Sequence, residues 1–204
     1  MTNPVFFEDP RTLTEVRLIY LHHKVPLTAA GGEVNLFAAQ VRAALTDRLS
    51  IIATKDGYLT SDNPLIDDGW ADINIGAKYN LIRCLDCRWL YSIGATYEAP
   101  FGSTRSLQGN GDGTYHLFSS GSLQLHGFNI VSGHGWIIPG DDDAESEWFY
   151  FSNHLSHRLG NSNFYGLAEI NWYSWLEDGA GGVPGIEGLD LFNLGSTNVK
   201  NNDI

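Results

Sequence analysis

Apolar and polar positions alternate with period two along most of the chain, which is typical of β-strands with one apolar face. The pattern is clearest at residues 70–81, where the apolar positions are Ala71, Ile73, Ile75, Ala77, Tyr79 and Leu81. We predict nine strands, over residues 14–24, 34–46, 48–56, 70–81, 88–99, 114–125, 127–138, 147–158 and 163–175. Since helical periodicity never extends beyond one or two turns, the chain is predicted to be all-β.

The connections between these strands alternate between short and long. The short ones are 46–48, 83–88, 125–127 and 160–163, and the long, polar, glycine-rich ones are 25–33, 57–69, 100–113, 139–146 and 176–203. A Greek-key sandwich has no reason to keep this order. Outer-membrane barrels do keep it, with short periplasmic turns and long external loops. The sequence therefore predicts an antiparallel up-and-down transmembrane β-barrel.

The two faces of the predicted strands differ in chemistry. The polar face suits a water-filled lumen, and its candidate lumen-lining residues are Arg42, Asp72, Lys78, Glu98, Glu169 and Asn171. Aromatic residues fall near strand ends, where the interfacial girdle of a barrel lies; they are Trp70, Trp89, Tyr97, Trp148, Trp172 and Trp175. The alternative is that these aromatic residues form the core of a soluble β-protein.

Composition narrows the possible partners. Twelve Lys and Arg against 24 Asp and Glu give a net charge of −12. A nucleic-acid partner is therefore not expected, because phosphate binding needs a basic surface. Aromatic residues at 12% argue against disorder. Residues 1–10 lack the basic segment and apolar core of an export signal, which taken alone indicates a cytoplasmic protein.

Several motifs invite a chemical interpretation. Cys84 and Cys87 have C-x-x-C spacing, for which a local disulfide or two free thiols is the preferred interpretation over a redox or zinc site. We interpret the glycine-rich residues 109–113 and the acidic residues 141–147 as external loops. The alternative for the acidic residues is that they bind a divalent cation. His154 and Ser156 share a strand face but belong to no recognised nucleophile motif. We therefore predict no enzymatic activity, cofactor or metal.

Eight segments carry a resemblance to a known family. They are residues 6–15 (FFEDPRTLTE), 45–50 (LTDRLS), 54–58 (TKDGY), 69–72 (GWAD), 97–103 (YEAPFGS), 109–113 (GNGDG), 169–172 (EINW) and 191–196 (LFNLGS). In them the chain resembles bacterial outer-membrane β-barrels of the transporter type, grouped with proteins named for the meta-pathway of phenol degradation, in the versions found in planctomycete-like bacteria.

The resemblance implies a location in the cell outer membrane, contact with its lipid, and transport of small molecules, hydrophobic ones among them. It divides the chain into an N-terminal segment, 1–13, and a β-barrel domain, 14–204. Family members carry an export signal and further strands, so the domain is expected to be partial and the chain a fragment. Two alternatives are kept: a structural or surface-interaction barrel with a plugged lumen, and a soluble β-barrel that binds a small ligand.

Overall fold

The computed structural model describes residues 6–107, 112–180, 182–183, 186–187 and 200–201. Its strands are β1 (Glu15–Lys24), β2 (Glu33–Ala44), β3 (Leu49–Ser61), β4 (Gly69–Trp70), β5 (Ile73–Cys84), β6 (Trp89–Ala99), β7 (Thr114–Leu125), β8 (Phe128–Pro139), β9 (Glu147–Arg158), β10 (Tyr165–Glu177), β11 (Gly182–Val183) and β12 (Ile186–Glu187). Two single-turn 3-10 helices occupy Leu27–Ala29 and Thr104–Ser106. All nine predicted strands are present; the two-residue strands β4, β11 and β12 were not predicted.

The strands form an antiparallel meander in the order β1-β2-β3-β5-β6-β7-β8-β9-β10, with β4 paired to β3 and a separate β11–β12 hairpin. Each long strand pairs with its neighbours in sequence, so the all-β antiparallel prediction is confirmed. Closure is not: in the described part of the chain, β1 pairs only with β2 and β10 only with β9. The described strands therefore form an open sheet with two edge strands, and not the closed wall of a barrel; the sequence analysis expected the barrel to be partial.

Short and long connections lie at opposite ends of the sheet, as the spacing predicted. The short-turn end carries connections 45–48, 85–88, 126–127 and 159–164; the long-loop end carries 25–32, 62–72, 100–113 and 140–146. The tightest turn joins β7 to β8 through His126 (φ 50°) and Gly127 (φ 84°), with Leu125 paired to Phe128. Positive φ at both central residues is the conformation that matches the twist of a two-residue hairpin.

The two faces of the sheet have inverted polarity relative to a water-soluble protein. On β5 the apolar side chains of Ile73, Ile75 and Tyr79 are about half exposed, at 46%, 53% and 44%. The polar side chains of Lys78 and Asn80, on the other face, are 2% and 1% exposed. Buried polar groups and exposed large apolar groups are the informative exceptions to ordinary burial. We name these the outer face and the inner face.

Two clusters of buried apolar side chains lie on the inner face. One lies near the long-loop end of β2 and β3 and contains Val25, Val34, Leu36 and Leu59. The other contains Ile137, Trp148, Tyr150 and Trp175. No helix in the described residues is long and apolar enough to cross a membrane.

Candidate functional site

An ion cluster centred on Glu8 joins the N-terminal segment to the inner face. Arg42 of β2 donates from Nε to Glu8 Oε1 at 2.9 Å and from Nη2 to Oε2 at 2.6 Å. Lys78 of β5 donates from Nζ to Oε1 at 2.8 Å. The three side chains are 4%, 1% and 1% exposed. A buried carboxylate needs such partners, because an unpaired charge in this position costs several kcal/mol.

Backbone carbonyls of the same segment are bound by inner-face side chains. Lys78 Nζ also donates to the carbonyls of Asp9 and, at 2.8 Å, Arg11. The Pro10 carbonyl accepts from Asn80 Nδ2 at 2.7 Å and from Ser92 Oγ at 2.6 Å. Proline has no N–H to donate to a neighbouring strand, so this segment is not suited to pair as a further strand of the sheet. Its backbone carbonyls are bound by side chains of the inner face instead of by backbone N–H groups.

Aromatic contacts hold the start of the described segment. Tyr150 of β9 donates its hydroxyl to the Phe6 carbonyl at 2.6 Å and lies 3.0 Å from His116 Nε2. The Phe6 ring meets Trp148 edge to face, with 4.8 Å between centroids. Glycine makes room beneath these rings: a Cβ at Gly135 would collide with the Tyr150 ring.

These contacts require the sheet to curve around the segment. From β2 to β9 there are six strand-to-strand steps, which span roughly 29 Å in a flat sheet. Phe6 and Glu8 are two residues apart, about 7 Å of extended chain. Yet Phe6 contacts β9 and Glu8 contacts β2. The long side chains of Arg42 and Tyr150 cover part of the difference, and curvature of the sheet covers the rest, so residues 6–14 lie inside a concave surface.

The six candidate lumen residues all lie on this inner face, and their use as a lumen lining stays a prediction. Arg42 and Lys78 are brought together through Glu8. Asp72 and Glu98 lie towards the long-loop end, where Asp72 Oδ1 accepts from the Gly102 N–H at 2.5 Å and Glu98 Oε2 accepts from Asn74 Nδ2 at 3.3 Å.

Glu169 and Asn171 are on β10, away from the Glu8 cluster. Glu169 Oε1 lies 2.6 Å from His154 Nδ1 of β9, with both side chains largely buried. Asn171 is half-buried opposite Ser152. The structure thus separates the six residues into three groups along the inner face.

Two further ion pairs lie near the N-terminal segment, towards the short-turn end of the sheet. Arg42 Nη1 lies 3.2 Å from Glu15 Oε1, and Arg11 Nη2 lies 2.6 Å from Asp9 Oδ2. Burial raises the pKa of Asp9. Hydrogen bonds from the Arg11 side chain and backbone, together with the charges of Arg11 and Lys78, lower this pKa by more than burial raises it. The net effect is a pKa of Asp9 below its usual value.

A cavity of about 260 Å³ with polar and apolar lining residues remains beside the segment at the short-turn end. It is lined by Asp9 and Arg11 of the segment and by Arg88, Ser122 and Gln124 of the sheet, among others. The interior is therefore not completely filled by residues 6–14.

Other sequence predictions have mixed outcomes. The girdle position was wrong for Trp148 and Trp175, which are 1% and 5% exposed on the inner face because β9 and β10 present these positions inward. Cys84 and Cys87 form the local disulfide. The glycine-rich prediction at 109–113 lies mostly outside the described residues.

Two residues of the acidic segment 141–147 bind groups of the loop between β8 and β9 or of β8 itself. Asp141 Oδ1 accepts from the N–H groups of Asp143 and Ala144, both at 3.1 Å. Glu147 Oε1 accepts from Trp136 Nε1 at 2.8 Å. Within the ranges described, no three His, Cys, Asp or Glu side chains group as a metal site would require.

Sequence reasoning missed the role of the N-terminal segment. The available signal was the pair of cations, Arg42 and Lys78, on a face that alternation predicted to be interior, since such charges need an anionic partner. Glu8, ahead of a proline that discourages strand pairing, was a candidate for that partner.

Comparisons with protein-family models, with curated proteins and with solved structures find no match for this chain.

Proposed function

We propose that the sheet of this chain forms the wall, or part of the wall, of an outer-membrane β-barrel of the transporter type, of the kind it resembles among proteins named for the meta-pathway of phenol degradation. The outer face contacts lipid, and small molecules pass along the inner face. The observation that carries the proposal is the inverted polarity of the sheet, with half-exposed Ile73, Ile75 and Tyr79 on one face and buried Lys78 and Asn80 on the other. Lipid is the solvent in which this distribution is favourable.

Strand dimensions support a membrane location. The nine long strands have 10 to 13 residues, and about 9–11 tilted residues cross a bilayer. In lipid, the edges β1 and β10 must be paired, because each unsatisfied backbone group costs several kcal/mol. Both strands run from the short-turn end to the long-loop end, so direct pairing between them would be parallel. Pairing with further strands is the other way to close the sheet.

The position of residues 6–14 suggests a gated path. Glu8, Pro10 and Phe6 are held by side chains from both halves of the sheet, so a solute larger than the 260 Å³ cavity needs the segment to move. We therefore include the segment as a plug of the lumen. The same contacts favour a second candidate, a structural or surface-interaction barrel that stays plugged.

Conductance in planar bilayers separates these candidates. The full chain, expressed with an added export signal, is expected in the outer-membrane fraction and to give low conductance. Deletion of residues 6–12 is expected to raise the conductance at least several-fold, because it empties the centre of the lumen. Heat-modifiable migration on gels serves as the folding control for both proteins.

The outcomes discriminate clearly. A folded deletion variant with unchanged low conductance favours the plugged structural barrel. Recovery of the full chain as a soluble monomer without detergent refutes the membrane proposal and favours the soluble ligand-binding alternative.

A further inference from the structure

The wall of the sheet is interrupted beside β3. This strand pairs with β5 only over Leu49–Ala53 and with β4 only at Tyr58 and Leu59. Residues 54–57 therefore have no paired residue on that side within the described chain, although the Gly57 carbonyl accepts from the Ala71 N–H at 2.9 Å. On the other side, the register with β2 shifts between Ala39 and Val41. Such a bulge bends the strand and redirects its side chains.

A cavity of about 620 Å³ opens at this interruption. Its walls are almost wholly apolar and come from β1, β2, β3, β4, β5 and the loop after β6. The large apolar side chains among them are Leu18, Phe37, Trp70, Ile73 and Phe101. The volume lies within the roughly 300–1,000 Å³ typical of small-molecule sites. Leu18 and Phe101 are 84% and 73% exposed, so the cavity is open on the outer face.

Asp56 is the one charged residue in this lining. It pairs with Ala39, which lies on the outer face with Phe37 and Val41. Its Oδ1 accepts from the Asn74 N–H at 3.1 Å. Within the described side chains Asp56 has no ion pair, and its second oxygen can accept another hydrogen bond. A carboxylate among apolar groups gains from a further donor, because desolvation is costly when it is not compensated.

We propose that this cavity binds a small, largely apolar molecule that carries one hydrogen-bond donor, a hydroxyl or a protonated amine, and donates it to Asp56. The apolar walls bind the body of the ligand, and the carboxylate fixes its orientation. An anionic ligand is excluded by charge repulsion. The proposal rests on the proposed function in one respect: lipid around the outer face gives apolar molecules access to the opening.

Three rigid adamantane derivatives test the proposal on the detergent-solubilised full chain, with empty micelles as the reference for partitioning. 1-Adamantanol and protonated 1-adamantylamine carry a donor; 1-fluoroadamantane has the same shape without one. By titration calorimetry we expect at least one donor ligand to bind about tenfold more tightly than the fluoride. The two donor arms then distinguish a hydroxyl from an amine as the preferred head group.

Variants identify the site. Asp56→Asn keeps the oxygen that accepts from Asn74, and is expected to reduce the donor preference to about twofold. Ala39→Phe fills the cavity and should weaken donor ligand and fluoride alike. Ala95→Phe, at an exposed position on the outer face of β6, is the matched control and should change neither affinity. Circular dichroism checks that each variant is folded.

Equal affinities of the three ligands for the wild type, or an unchanged donor preference in Asp56→Asn, would overturn the proposal. Binding here does not depend on conductance. If the ligands fail to bind but the protein conducts in bilayers, the ligand-binding proposal is refuted and the membrane function is not. If the ligands bind as expected but the chain is soluble in water, the membrane function is refuted and the ligand-binding proposal is not.

Discussion

Replacing Glu8 by Gln tests how the N-terminal segment is held. The substitution keeps the size and hydrogen-bonding capacity of the side chain but removes the negative charge between Arg42 and Lys78. Both cations are 1% exposed and lie 2.6–2.8 Å from the carboxylate. The change therefore leaves two buried positive charges facing a neutral amide.

The magnitude follows from the partners that remain. Removal of one member of a buried ion pair costs about 3–5 kcal/mol. Arg42 keeps its contact with Glu15 at 3.2 Å, and Lys78 keeps the Arg11 carbonyl at 2.8 Å, which places the effect near the lower limit. Release of the segment would expose both cations to water, so the loss cannot exceed the free energy that holds the segment in place. We expect about 3 kcal/mol, or roughly a 100-fold increase in the released population.

Limited trypsin digestion measures that population. The Arg11 side chain is 59% exposed, but the backbone carbonyls of Pro10 and Arg11 are bound by Asn80 and Lys78. A protease needs this backbone free, so the rate of cleavage after Arg11 reports the opening equilibrium when closing is fast. Mass spectrometry separates this cut from cuts in other loops. Glu15→Gln is the matched control: Glu15 contacts the same Arg42 but is 27% exposed, so its loss should change cleavage less than about fivefold.

Equal acceleration by the two substitutions would contradict the buried ion cluster. An unchanged rate in Glu8→Gln would show that the segment is held by its carbonyl and aromatic contacts alone.

Three further predictions concern the faces, the pH dependence and the packing of the inner face. Ile93→Arg on the outer face should lower the free energy of unfolding by about 2–4 kcal/mol in bilayers, and Ser122→Arg beside the inner cavity by far less, as measured by urea titration; equal losses would contradict the face assignment. Because the pKa of Asp9 is lowered, its stabilisation is complete above the unfolded value of 3.8 and is lost as pH falls through the folded value; the Asp9→Asn variant should lack this part of the acid-induced loss. Gly135→Ala should destabilise the fold by about 1–3 kcal/mol in thermal unfolding, since the added methyl group displaces an aromatic ring.

The strands could be predicted because their signal is local. On β5 and β6 every second side chain lies on the inner face. The alternation of Asn74, Lys78 and Asn80 with Ile75 and Tyr79 along β5 follows this geometry. The ranges 114–125 and 147–158 agree with the structure to the residue. The strand β4 carries no such signal, since two residues are too few to alternate.

The site could not be predicted to the same extent because its contacts are distant in sequence. Glu8 meets Lys78 across 70 residues and Phe6 meets Tyr150 across 144. No periodicity links such positions, and the segment itself forms no strand whose faces could be assigned. The tryptophans show the same limit: alternation places Trp148 and Phe149 on opposite faces, but it cannot say which face receives the larger ring.

Two glycine residues on β8 explain why the inner face can receive large aromatic rings next to the N-terminal segment. Gly133 and Gly135 occupy consecutive inner-face positions, where a Cβ would meet the rings of Phe7 and Tyr150 respectively. Because these positions carry no side chain, Tyr150 can lie against the wall and still reach the Phe6 carbonyl. On the opposite side of the segment, the long side chains of Arg42 on β2 and Lys78 on β5 extend from the inner face to Glu8. Residues 6–14 therefore lie between the glycine positions of β8 and the cations of β2 and β5, and the 260 Å³ cavity lies beside the segment at Ser122 and Gln124.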